Sequence, residues 1–97
     1  MASISVNPEL VSEYGRTVTG LGTDYTTEIN AIYTTIDELN NSWKGDAATS
    51  FNTAAKSYEN ELKKLGTKIE ELGSDLVVIA NAYATYNETV ATEAGKL

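Results

Sequence analysis

The chain has 97 residues, with no cysteine, no histidine, one tryptophan, and fourteen acids against seven bases, for a net charge of −7. Without thiols or imidazoles it has no disulfide, no thiolate nucleophile, no zinc site of the usual ligand types and no imidazole acid–base chemistry. The acidic balance, with lysines scattered through the second half, leaves no basic footprint for nucleic acid, and a chain this short is read as one domain with a marginal core.

The opening residues, Met1 to Val6, have neither a basic start nor an apolar run of signal-peptide length, and no segment of the sequence approaches membrane-spanning length. Export, if it occurs, is expected without a cleaved signal. Asn7-Pro8-Glu9 then reads as a helix start. The Asn side chain can accept from a free amide, Pro at the first helical position loses no needed donor, and Glu9 suits the positive end. Helix one is predicted over about 8–40. Its apolar seam runs Val11, Tyr14, Val18, Leu21, Tyr25, Ile29, Ile32, Ile36, Leu39, Trp43. Two successive gaps of four around Tyr25 make a stutter, which locally unwinds a supercoil. Gly15, Gly20 and Gly22 each lower helix propensity by roughly 1 kcal/mol relative to alanine, so packing must hold this helix together.

Asn40 to Asp46 carries turn residues, and the turn is placed at 41–46 with Asp46 as a candidate N-cap. Gly45 is expected to supply a positive φ or room for Trp43. Helix two is predicted over about 47–90, followed by a frayed tail at 91–97. Its seam alternates gaps of three and four without a polar member: Ala48, Phe51, Ala55, Tyr58, Leu62, Leu65, Ile69, Leu72, Leu76, Ile79, Tyr83, Tyr86, Val90. Gly66, Gly73 and Ala80 form a row on one flank of that seam, either a groove for close helix approach or small residues that are merely tolerated.

The short link makes the helices antiparallel neighbours, an all-α hairpin. At 1.5 Å per residue the helices span about 50 Å and about 67 Å, so helix two overhangs by roughly 18 Å, beginning near Ala80. The seam continues into that overhang as Tyr83, Tyr86 and Val90, with no partner in the same hairpin. A second chain is expected to cover them, giving a dimer built as a four-helix bundle. Leu76-Val77-Val78-Ile79-Ala80, apolar all round a full turn, points to burial on more than one side. Val18, Tyr25, Ile32, Leu76, Val77 and Ile79 are the dimer-interface candidates. In an antiparallel dimer the overhang of one chain lies beside the Trp43 turn of the other.

With Trp43-Lys44-Gly45 near the middle, two amphipathic helices around it, Asn7-Pro8 before the first and Gly45-Asp46-Ala47-Ala48 running into Phe51, the chain resembles the WXG family of ESX or type VII secretion substrates. The resemblance implies a small protein exported as a folded helical dimer, with a second copy or a related WXG protein as partner. It further implies a membrane-bound FtsK/SpoIIIE-type ATPase that reads the export signal. In the family that signal joins the Trp-x-Gly turn of one subunit to a C-terminal Tyr-x-x-x-Asp/Glu of the other. Here the corresponding residues are Trp43 and Gly45 with Tyr83, Tyr86 and Asn87, and Asn87 puts an amide where the acid is expected, with Glu88 adjacent. The alternative implied by that departure is a cytoplasmic targeting partner of a larger type VII toxin, supplying the turn half of the signal.

Each residue also has a plainer reading. Trp43 can seal the end of a core, and Tyr83 and Tyr86 can be ordinary seam residues. Asp24, Glu28, Asp37, Glu38, Glu70 and Glu71 read as a solvated helix face rather than paired catalytic carboxylates, so neither an enzyme nor a cofactor is expected. Lys63, Lys64 and Lys68 are expected to pair with nearby acids at the surface. The lack of a basic face argues against stable membrane insertion.

Overall fold

Asn7 caps the first helix as its sequence anticipates: its Oδ1 accepts from the Leu10 amide at 3.2 Å, and its carbonyl accepts from Val11 at 3.0 Å. In the computed structural model, which describes residues 7–95 (side chains through Glu88), α1 runs Pro8–Asn40 and α2 runs Asp46–Gly95. The two pack antiparallel into a rod with principal dimensions of 79 × 21 × 18 Å. α2 extends five residues past the end expected near Val90, because nothing from Val90 to Ala94 breaks a helix before Gly95. Residues 96 and 97 of the expected tail lie outside the described residues, as does the Val90 side chain.

The helices meet on small residues. Gly15, Gly22 and Ile29, spaced by seven, are buried on α1, and Ala48, Ala55, Gly66, Gly73 and Ala80 are buried on α2. Gly15 lies on Gly73 and Gly22 on Gly66 with backbone against backbone. A methyl built on Gly73 would stand 2.5 Å from both the Gly15 carbonyl oxygen and the Thr19 nitrogen. One built on Gly15 would stand 2.8 Å from the Gly73 carbonyl. The Gly66/Gly73/Ala80 row is therefore a groove for close approach. Toward the turn the logic changes to large on small, where Tyr33 reaches across and donates its hydroxyl to the Ala55 carbonyl at 2.6 Å. Thr19 likewise donates across the interface to the Glu70 carbonyl, at 3.4 Å.

These glycine pairs set one register, which carries Pro8 to the level of Ala80. Ala80 is only 1% exposed and Ala84 is half-buried beside the first turn of α1, so α2 overhangs from just beyond this level.

The apolar seams do not close on each other as their periodicity implies. On α2, Ala48, Ala55, Leu62, Ile69 and Leu76 are buried or half-buried, whereas Phe51, Tyr58, Leu65, Leu72, Ile79 and Tyr86, every seventh residue, are exposed. On α1, Tyr14, Leu21, Ile32 and Leu39 are exposed in the same way. The glycines allow the closest approach on a line displaced from the seam, and the helices rotate to use it. Half of each seam is left on one side of the rod as an apolar stripe. Among the described residues no large side chain is fully buried.

Tyr25 shows the cost of this tight interface. Its ring packs over Gly66, while its hydroxyl is buried with no hydrogen-bond partner. Tyr25→Phe removes the orphaned hydroxyl and keeps the ring, and should stabilise the fold by about 1 kcal/mol. A raised urea midpoint at fixed protein concentration is the expected reading.

Candidate functional site: turn, stripe and overhang

The turn hangs from the end of α1. The Leu39 carbonyl accepts from the Ser42 amide at 3.0 Å and the Trp43 amide at 2.9 Å, and the Lys44 ammonium donates to the Asn40 carbonyl. The chain then reverses at Gly45, which adopts φ +120°. Nothing lies within 4 Å of where its Cβ would be, so the glycine serves backbone conformation and not space for Trp43. Asp46 is not the cap of α2. The Gly45 carbonyl accepts from the Thr49 amide at 3.0 Å and the Thr49 hydroxyl at 3.2 Å, which makes Asp46 the first helical residue, an acid at the positive end. Any side chain at Gly45 is strained at that φ, and Gly45→Ala should cost about 1–3 kcal/mol in thermal unfolding while leaving both helices formed.

Trp43 is 37% exposed, and its ring packs on Phe51 with centroids 5.8 Å apart and planes at 50°. This is an open arrangement at the rod's end, not a plug in a closed core.

Tyr83, Tyr86 and Asn87 are exposed on α2 at the opposite end. From Trp43 to Tyr83 is about 55 Å along the helix, so one chain does not bring the turn and these residues together. Of the other interface candidates, Ile32 and Ile79 lie exposed on the stripe, while Val18, Tyr25, Leu76 and Val77 are half-buried. Leu76 and Val77 pack against Gly15 within the hairpin, and Val77 also faces the far flank beside Arg16, Thr19 and Ser74. Sequence reasoning left Tyr14, Leu21, Phe51, Tyr58, Leu65 and Leu72 among the seam residues without singling them out as surface. The signal was the glycine row, which marks where the other helix must sit and so which half of the seam stays outside.

Charge plays a lesser part. Asp24, Glu28, Asp37, Glu38 and Glu71 are exposed, while Glu70 accepts from the Thr23 hydroxyl at 3.2 Å. Lys63 pairs with Glu59 at 3.0 Å and Lys64 with Glu61 at 3.8 Å, both within α2, where such pairs contribute little. No helix among the described residues is long and apolar enough to cross a membrane.

Similar folds occur among solved structures. The secreted protein EsxB of Bacillus anthracis strain Sterne, selenomethionine-labelled, superposes with a TM-score of 0.75 at 20% identity, over 90% of this chain and 99% of that one. A glycine-to-alanine variant of the same protein gives 0.74 at 20% identity over 87% and 97%. A glutamate-to-glutamine variant gives 0.74 at 20% identity over 90% and 97%. At that identity the likeness carries the two-helix fold. No curated protein matches the chain. The model of the WXG100 family, proteins of 100 residues with WXG, matches residues 3–88, and with a helical hairpin bent at Trp43-Lys44-Gly45 this chain belongs to that family.

Proposed function

We propose that this chain is a small, non-enzymatic interaction protein exported through a type VII (ESX/Ess) system, and that it works as a dimer in which two hairpins pack stripe to stripe as a four-helix bundle. The observation that carries this reading is the row of large apolar side chains left uncovered along one side of the rod. A hairpin closed on glycine and alanine buries little area of its own, and each stripe residue covered by a partner contributes about 2 kcal/mol. Family membership and the secreted relatives from Bacillus anthracis support export. The partner is a second copy or a related WXG protein. In an antiparallel pair, Trp43 and Gly45 of one subunit lie near Tyr83, Tyr86 and Asn87 of the other, and an FtsK/SpoIIIE-type ATPase reads that composite surface.

Trp43→Ala tests the reading. With the ring lost and both helices intact, the protein should accumulate in the cell pellet and vanish from the culture supernatant. Undiminished export of the folded variant sinks it.

One feature favours a second reading. Asn87, exposed on the overhang, is neutral where the family signal carries an acid. A chain lacking half of that signal would serve as a cytoplasmic targeting partner for a larger toxin. Light scattering on the purified chain separates the two, since a stable homodimer favours the exported form and a weak or unfolded monomer the targeting partner.

A further inference from the structure

Two contacts tie Trp43 to residues whose side chains lie on the stripe. Its amide is bonded to the Leu39 carbonyl, and its ring rests on Phe51. Leu39 and Phe51 are the members of the stripe nearest the turn, one on each helix, and both are exposed, Phe51 by 41%. Trp43 is itself 37% exposed, so part of the residue stays open at the turn. A surface that covers the stripe thus covers the ring on which the indole lies, and a Phe51 side chain fixed by a partner holds fewer rotamers than one in water.

From this geometry we infer that Phe51 is a positioning residue for Trp43, coupling the presentation of the turn to whether the stripe is covered. The indole is held in one orientation in the assembled protein and is loosely held in the lone hairpin. Assembly is thereby legible at the turn itself, independently of the distant overhang. This inference rests on the dimer reading above.

Trp43 is the one tryptophan, so red-edge-excited fluorescence reports this position alone. Iodide quenching is measured on the full chain across a dilution series, with light scattering giving the dimer fraction at each concentration. In the unaltered protein, quenching should rise as the dimer dissociates. Phe51→Ala should show the high quenching and red-shifted emission of the dissociated form even where it is dimeric, and should lose export. Phe51→Tyr, which keeps the ring, should restore both. Leu72→Ala weakens the same stripe far from the turn and controls for lost affinity. At matched dimer fraction it should shield Trp43 as the unaltered chain does.

Equal shielding in Phe51→Ala and Leu72→Ala at matched dimer fraction overturns the inference, as does quenching in the unaltered protein that ignores dissociation. A chain that stays monomeric at every concentration instead defeats the homodimer reading. Phe51→Ala should then match the unaltered monomer, both strongly quenched, and an indole that is shielded in the unaltered monomer but exposed by Phe51→Ala overturns the inference that the lone hairpin holds it loosely.

Discussion

Gly73→Ala should destabilise the protein by about 3 kcal/mol, although alanine is the better helix former by roughly 1 kcal/mol. The added methyl would meet the Thr19 hydroxyl, the Thr19 nitrogen and the Gly15 carbonyl oxygen, the latter two at 2.5 Å. The hydroxyl can rotate away, but the backbone atoms cannot. Relief requires the helices to separate along the Gly15–Gly73 and Gly22–Gly66 contacts together, since one rigid register serves both. Gly20→Ala is the matched control. It sits on the same rod with nothing within 4 Å of the new methyl, and should stabilise by up to about 1 kcal/mol. Urea unfolding of both variants at one protein concentration checks the pair, because a dimer's apparent stability depends on concentration. Equal shifts in the same direction would mean that the close approach is not what holds the hairpin.

Leu72→Asp should abolish assembly while Val78→Asp leaves it intact. The two residues are almost equally exposed, 59% and 65%, and differ in which way they face. Leu72 is on the stripe. Val78, at about 100° per residue, is carried away from both the helix–helix interface and the stripe, onto the flank with Arg16 and Ser74. A carboxylate at Leu72 would be buried without a partner in a stripe-to-stripe dimer, at a cost of about 3 kcal/mol or more per site. That weakens association by a hundredfold or more, since each 1.4 kcal/mol is roughly tenfold. Light scattering across a concentration series gives the result directly. Dissociation by both substitutions, or by Val78→Asp alone, would put the interface elsewhere.

How far these features were legible in the sequence depends on which physical signal each one leaves. Local chemistry was read well. Asn7-Pro8-Glu9 starts α1, Gly45 takes the positive φ, and α1 ends at Asn40 where turn residues begin. The overhang near Ala80 followed from lengths alone, because helix rise is nearly invariant. The cap of α2 was misplaced by one residue, since an acid suits both the cap and the first turn, and the Gly45 carbonyl makes the choice. The larger error concerned the seams. Periodicity identifies a face about a hundred degrees wide without saying where its centre docks, and here Gly15, Gly22, Gly66 and Gly73 moved the contact line to one edge of it. Leu76 and Val77, two of the dimer-interface candidates, pack on Gly15 within the hairpin and keep part of their surface exposed. The residues of the proposed composite site, Trp43 and Gly45 against Tyr83, Tyr86 and Asn87, lie far apart along a 79 Å rod, and no pattern within a single chain specifies how a second one would bring them together.

The slenderness of the rod has a transport consequence. A body about 20 Å across and four times as long can travel lengthwise through an aperture scarcely broader than itself, with neither helix unravelled. Under the proposed export as a dimer, two such bodies lying flank to flank would widen the required opening along one direction only, so passage in the folded state would ask more of the conduit's alignment than of its calibre.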